Sequence, residues 1–179
     1  CKLSDIDGKD TLSEKILILL AAFLGDGHVT GNTVFLTTKN DQYASYISKY
    51  SELKQSRSKE QGTPQYRIMD QEFKDFLKDN DLFDKKAGTK FVPDIVFQQS
   101  DKNIKLFLRN LYYTDGWVGG SQIVYCSTSY RLAQDVHFLL RRLKIQSSLT
   151  SREFTNGWNK QWWVLIGQAK NILRFIDDV

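Results

Sequence analysis

The chain has 179 residues, 41% of them hydrophobic and 26% charged, and carries a formal net charge of +4. This is the composition of a folded globular protein, which excludes disorder and collagen-like structure, and the basic balance is compatible with a polyanionic partner. The longest apolar run, Ile16–Leu24, is too short for a membrane span and no secretory leader pattern is visible. Cys1 and Cys126 form neither a metal-ligand spacing nor a disulfide framework. The expectation is therefore an intracellular protein in a reducing compartment. Cys1 at the first position reads as a fragment boundary.

In chain order, a helix is expected over Ser13–Gly25, with Ser13 as its N-cap and Asp26-Gly27 at its exit. A hairpin follows over Val29–Thr38, turning at Gly31-Asn32. Tyr43, Tyr46, Ile47 and Tyr50 fall at helical spacing in Asp41–Leu53. A weaker strand pair, Leu53–Lys59 and Gln65–Met69, precedes a closing helix over Gln71–Asn80. Asp84–Ser100, which contains Pro93, reads as a linker. The order then recurs: a helix over Asp101–Thr114 capped by Asp101, and a hairpin over Trp117–Ser127 turning at Gly119-Gly120. A helix over Tyr130–Leu143, strands Ser148–Phe154 and Gln161–Ile166 around an Asn156-Gly157 turn, and a closing helix over Gln168–Ile176 complete the chain.

The recurrence is an internal repeat. Leu19–Gly27 matches Leu108–Gly116, with Asp26 and Asp115 separated by 89 residues. The same offset carries Val29 onto Val118, Gly31 onto Gly120, Val34 onto Ile123, Ala44 onto Ala133 and Ile47 onto Val136. A period this long points to a duplicated half-domain rather than a solenoid. The expected fold is α+β, with αββαββα twice about a pseudo-two-fold axis. The halves are 1–83 and 101–179, joined by linker 84–100, in a single compact monomer. Small residues, Ala21, Ala22 and Gly25 in one motif helix and Asn110 and Thr114 in the other, would let the two helices pack closely. Asp26 and Asp115 would then emerge side by side. Two close carboxylates need a cation between them or a raised pKa, and Mg²⁺ suits such a place.

Leu24-Gly25-Asp26-Gly27, the Phe107–Gly116 segment, and Lys90-Phe91-Val92-Pro93 between them resemble the motifs of LAGLIDADG homing endonucleases. The dodecapeptide class found in inteins is the nearest likeness, and through the repeat it covers nearly the whole chain. The resemblance implies a pseudo-symmetric enzyme with its motif helices at the central interface. Asp26 and Asp115, with the carbonyls of Gly25 and Thr114, would hold Mg²⁺ or another divalent cation such as Mn²⁺. Lys90 would be the basic catalytic residue near the scissile phosphate. The second half shows no equivalent lysine, so the two catalytic centres would be unequal. The expected partner is double-stranded DNA with a long, roughly pseudo-palindromic site, in an intein- or intron-borne setting. The absence of a terminal His-Asn pair argues against splicing by this chain itself. The alternative is a catalytically impaired or nicking nucleic-acid-binding relative, resembling maturases or regulators.

Sheets fit this reading because the major groove admits a β-ribbon. Residues 39–67 carry six basic side chains against three acidic, and residues 141–160 five against one. The DNA-contact candidates are Lys39, Lys54, Arg57, Lys59, Arg67, Arg152 and Lys160. Trp158, Trp162 and Trp163 are expected to pack in the core, and His28 to neighbour the metal site without ligating it.

Overall fold

In the computed structural model the described residues are 8–57, 62–153 and 160–179. Lys59, Trp158, Cys1 and the Asn156-Gly157 turn lie outside them. Helix α1 spans Glu14–Asp26 and is capped by the Ser13 side chain, which accepts the Ile16 N–H. Every residue from Ile16 to Leu24 is buried. A helix apolar all round must be covered all round. Helix α5 (Asp101–Asp115) covers one side in the most extensive contact between any two elements, and strands and helices of the first half cover the rest.

The first half continues with β1 (Gly27–Thr30), β2 (Thr33–Thr37), α2 (Asp41–Ile47), β3 (Leu53–Arg57), β4 (Gln65–Ile68) and α3 (Gln71–Asp79). The second half repeats the order with β5 (Gly116–Gly119), β6 (Gln122–Ser127), α6 (Tyr130–Arg142), β7 (Ser148–Arg152), β8 (Gln161–Ile166) and α7 (Ala169–Asp178). Each set of strands forms an antiparallel sheet, in the orders β1-β2-β4-β3 and β5-β6-β8-β7. Helices lie on one face of each sheet, and the buried apolar side chains of both halves form one continuous cluster around α1 and α5. No helix among the described residues is long and apolar enough to cross a membrane.

Four local expectations need correction. The cap of α5 is Ser100, whose hydroxyl accepts the Asn103 N–H; Asp101 sits inside the first turn. Helix α2 stops at Ile47 rather than running to Leu53. The Ser48 hydroxyl donates to the Ser45 carbonyl there, and the chain turns to enter β3. The second hairpin turns one residue later than expected, with Gly120 at φ 60, the counterpart of Gly31 at φ 57. Both positions need the left-handed conformation that glycine adopts without strain. Finally, the 84–100 segment carries structure of its own. It holds a 3₁₀ turn at Ala87–Thr89 and a short helix α4 (Asp94–Phe97), with Lys90, Val92 and Val96 buried. Asp135 of α6 accepts the Val92 N–H at 2.9 Å, the Ser129 hydroxyl donates to the Lys90 carbonyl at 2.6 Å, and Arg142 donates to the Phe97 and Gln99 carbonyls.

The α1–α5 contact closes at Gly25. A methyl group there would lie 2.1 Å from the Thr114 Oγ1 and 2.5 Å from its Cβ. Gly25→Ala should destabilise the fold by about 1–3 kcal/mol through overpacking, read as a lower urea midpoint at unchanged slope. Adding Thr114→Gly should recover part of that loss; an additive double variant would place the strain elsewhere.

Candidate active site and nucleic-acid interface

Both motif helices leave in the same way. The Gly27 N–H donates to the Phe23 carbonyl and the Gly116 N–H to that of Tyr112. Both glycines have φ values open to any residue, −92° and −98°. The requirement is space: a Cβ would lie 2.5 Å from the Phe23 Cα at Gly27 and 2.4 Å from the Tyr112 carbonyl oxygen at Gly116. Each strand can thus start immediately beyond its aspartate.

Asp26 and Asp115 terminate the paired helices, partly withdrawn from water. Burial pushes the Asp26 carboxyl above its usual range, and the positive charge of Lys90 opposes the shift. The Asp115 carboxyl rises to about 6, first through burial and then through the charge of Asp26, again opposed by Lys90. Lys90 is only 2% exposed. Its ammonium donates to the carbonyls of Phe23 at 2.6 Å, Leu24 at 3.2 Å and Gly27 at 2.7 Å, and lies 4.8 Å from the Phe23 ring centroid. Burial lowers its pKa to about 8, while the two carboxylates hold it from falling further. Lys90 therefore caps α1: it shares the Phe23 carbonyl with the Gly27 N–H, takes the Leu24 carbonyl, and sets its charge at the negative end of the helix. The Gly25 carbonyl is not in its set.

The oxygen donors at this end suit a hard divalent cation. Among the described residues no cluster of three or more His, Cys, Asp or Glu side chains gathers. The chain offers two carboxylates and last-turn carbonyls, the kind of partial shell that Mg²⁺ completes with water and phosphate oxygens. Tyrosines border the pair, and the helical spacing that marks Tyr43 in the sequence does not reveal that place. The Tyr43 ring stacks on Tyr113 at 4.8 Å, its hydroxyl is buried with no hydrogen-bond partner among the described residues, and the charges of both aspartates reach it. A cavity of about 330 Å³ opens beside Lys90, lined also by His28, Phe83, Lys85 and Lys86. Those lysines were readable only as linker charge.

Strand registers define what each open sheet face presents. In the first sheet, His28, Phe35, Arg67 and Lys54 form one row across the strands, and Thr37, Gln65 and Arg57 the next. His28 stacks on Phe35 at 5.2 Å and is hydrogen-bonded through Nε2 with the Gln65 amide at 3.1 Å. Lys54 and Arg67 are direct cross-strand neighbours, and Glu52 pairs with Lys54 at 3.6 Å. Arg57 Nε donates to the Thr63 carbonyl, and Lys39 is exposed just beyond β2. In the second sheet Arg152 lies 4.0 Å over the Trp163 ring, whereas Lys160 leans 4.9 Å over Trp162 and pairs with Glu153. Trp162 packs against the core and Tyr130, as expected of it. Trp163 departs from the core expectation: it takes the opposite face, edge-on to Trp117 at 5.0 Å, because neighbours in a strand point to opposite sides.

Because Asp115 binds its proton more tightly in the folded chain, metal-free stability should fall as pH rises from about 4 through about 6, by about 3 kcal/mol at most. Asp115→Asn should flatten that dependence and melt higher than the parent at pH 8 in EDTA. Mg²⁺ should stabilise the parent and not the variant. Thermal unfolding at several pH values reads all three outcomes.

The family described as LAGLIDADG-like domain matches residues 88–179. Similar proteins include the replicative DNA helicase DnaB of Rhodothermus marinus, 28% identical over 94% of this chain and 20% of that protein. The replication factor C small subunit of Methanocaldococcus jannaschii is 25% identical over 93% of this chain and 9% of its own length. The chain thus spans a fifth or less of these two relatives. Among solved structures, the homing endonuclease I-DmoI in complex with DNA and Mn superposes with a TM-score of 0.65 at 12% identity, covering 93% of this chain and 96% of that one. The N-terminal LAGLIDADG domain of WhiA gives 0.59 at 12% identity, covering 97% and 85%. With the duplicated fold, the paired motif helices and the match to its second half, the chain belongs to the LAGLIDADG-like family.

Proposed function

We propose that this chain is a metal-dependent, site-specific double-strand DNA endonuclease. The observation that carries the reading is the pairing of two partly buried carboxylates, Asp26 and Asp115, at one end of the helix interface, with the buried Lys90 ammonium beside them. Asp26, Asp115 and the carbonyls of Gly25 and Thr114 would hold Mg²⁺ or Mn²⁺, which when bound supplies an activated water and a polarised phosphate. Lys90 sets positive charge beside the carboxylates, and its lowered pKa lets it hold or release a proton near neutral pH. The open sheet faces of residues 1–83 and 101–179 would lie along the major groove on either side of the cut, one chain serving both half-sites. The basic side chains Lys39, Lys54, Arg57, Lys59, Arg67, Arg152 and Lys160 are the proposed DNA contacts. Matches to small parts of two differently named replication proteins support an inserted, intein- or intron-borne element.

A second reading is a DNA-binding relative without cleavage. It draws on the likeness to the WhiA domain and on Lys90, whose hydrogen bonds serve to cap α1. Selection on a randomised duplex library, with Mg²⁺ and with EDTA, separates the two. Metal-dependent cut ends at a narrow family of long sites support the enzyme; enrichment by binding with no ends supports the second reading. Asp26→Asn and Asp115→Asn should abolish cutting and spare binding, and either variant cutting at the parental rate would remove these residues from the reaction. Binding should also weaken steeply with salt, by about 0.9 log units per neutralised phosphate per log unit of salt. A flat salt response would overturn the DNA reading.

A further inference from the structure

The two sheets have the same topology, so their open faces can be compared row by row. In the row that begins two residues beyond each motif aspartate the first sheet presents His28, Phe35, Arg67 and Lys54; the second presents Trp117, Leu165 and Ser148, with Val124 of the same row buried. In the next row Thr37, Gln65 and Arg57 stand against Cys126, Trp163 and Thr150. The first set holds three cations, of which Lys54 also pairs with Glu52, and an imidazole–amide pair; the second holds no charge in either row. The one cation of the second face among the described residues of β5–β8, Arg152, lies in the following row opposite Gln161. Its guanidinium is laid on the Trp163 ring.

The basic segment 141–160 does not make up the difference. Arg142 is spent on the Phe97 and Gln99 carbonyls and on Asp101, and Lys160 pairs with Glu153 over Trp162, on the helix side of the sheet. Of the aromatic pair, one polar edge is already engaged. Trp163 Nε1 donates to the Gln161 side chain at 3.3 Å. Trp117, 38% exposed, stands two residues from Asp115.

We propose, resting on the endonuclease reading, that the two sheets recognise half-sites of different chemistry. The first sheet reads base edges by hydrogen bonding under strong phosphate attraction. The second, through Trp117, Trp163 and Leu165, reads the inner base pairs of its half-site by apolar contact with thymine methyl groups. The C5 methyl of thymine is the apolar feature that the major groove displays; Leu165 has no donor or acceptor and can select only on it, and the faces of the two indole rings favour the same contact. Trp117 and His28 occupy equivalent places in the repeat, so the difference falls on the base pairs closest to the cut. The target is then asymmetric in its inner positions, against the pseudo-palindrome that duplication alone suggests.

The test needs no cleavage. The native protein selects its site from a duplex library in EDTA, and each thymine of the consensus is then replaced by deoxyuridine, which removes only the methyl. The expected result is two unlike halves. In one of them deoxyuridine weakens binding about fourfold per buried methyl. Trp117→Ala and Trp163→Ala should erase that penalty in the same half and leave the other untouched, while Arg67→Ala lowers the salt slope without altering it. Halves with matching preferences, deoxyuridine without effect anywhere, or a penalty that both tryptophan variants retain would each overturn the proposal. Failure to enrich any duplex over bulk DNA would instead remove the endonuclease reading, and this inference with it.

Discussion

Two helices meet at their ends with the Thr114 side chain laid directly on Gly25. Where Gly25 faces Thr114 there is no room for even a methyl group, and this approach places the last turns of α1 and α5 side by side. The carboxylates that end those turns share one poorly solvated space, and each sheet begins at once beyond its aspartate because Gly27 and Gly116 leave room for the exit. Site and reading faces are therefore set by one contact. Bulk added at that contact would displace the acids and splay the sheets together.

The close approach creates an electrostatic debt that the 84–100 segment partly meets. Lys90 is carried in on a strap held to α6 through Ser129, Asp135 and Arg142, and its ammonium ends on the carbonyls of α1. One side chain thus caps a helix and offsets two carboxylates. Its own charge is costly to bury, which is why its pKa falls even with two acids nearby. Under the proposed reading, the remaining negative charge is what would draw a divalent cation.

Much of the architecture could be read from the chain because the repeat states each element twice. Ser13, the Gly31 turn and the periodicity of Tyr130–Arg142 are local signals, and local signals survive folding. The misplaced features have equally physical reasons. Ser100 and Asp101 are both good capping residues, and only the path of the chain selects between them. Trp162 and Trp163 differ in strand parity, which the register fixes and composition cannot express. Arg142 counts as positive charge in the sequence, yet in space it serves the carbonyls of a segment more than forty residues away. Asp26 and Asp115 were marked by recurrence. The cap made by Lys90 joins residues 67 positions apart and leaves no local pattern.

The strap also imposes an order of events. The ribosome releases α1 first, yet the ammonium that closes its end is positioned by Ser129, Asp135 and Arg142, which emerge much later. Until then the first aspartate has neither its partner nor its counter-charge. A truncated or half-translated chain therefore lacks the paired carboxylates and their counter-charge. Under the proposed reading, that would delay any reactive centre until both sheets are present to hold DNA.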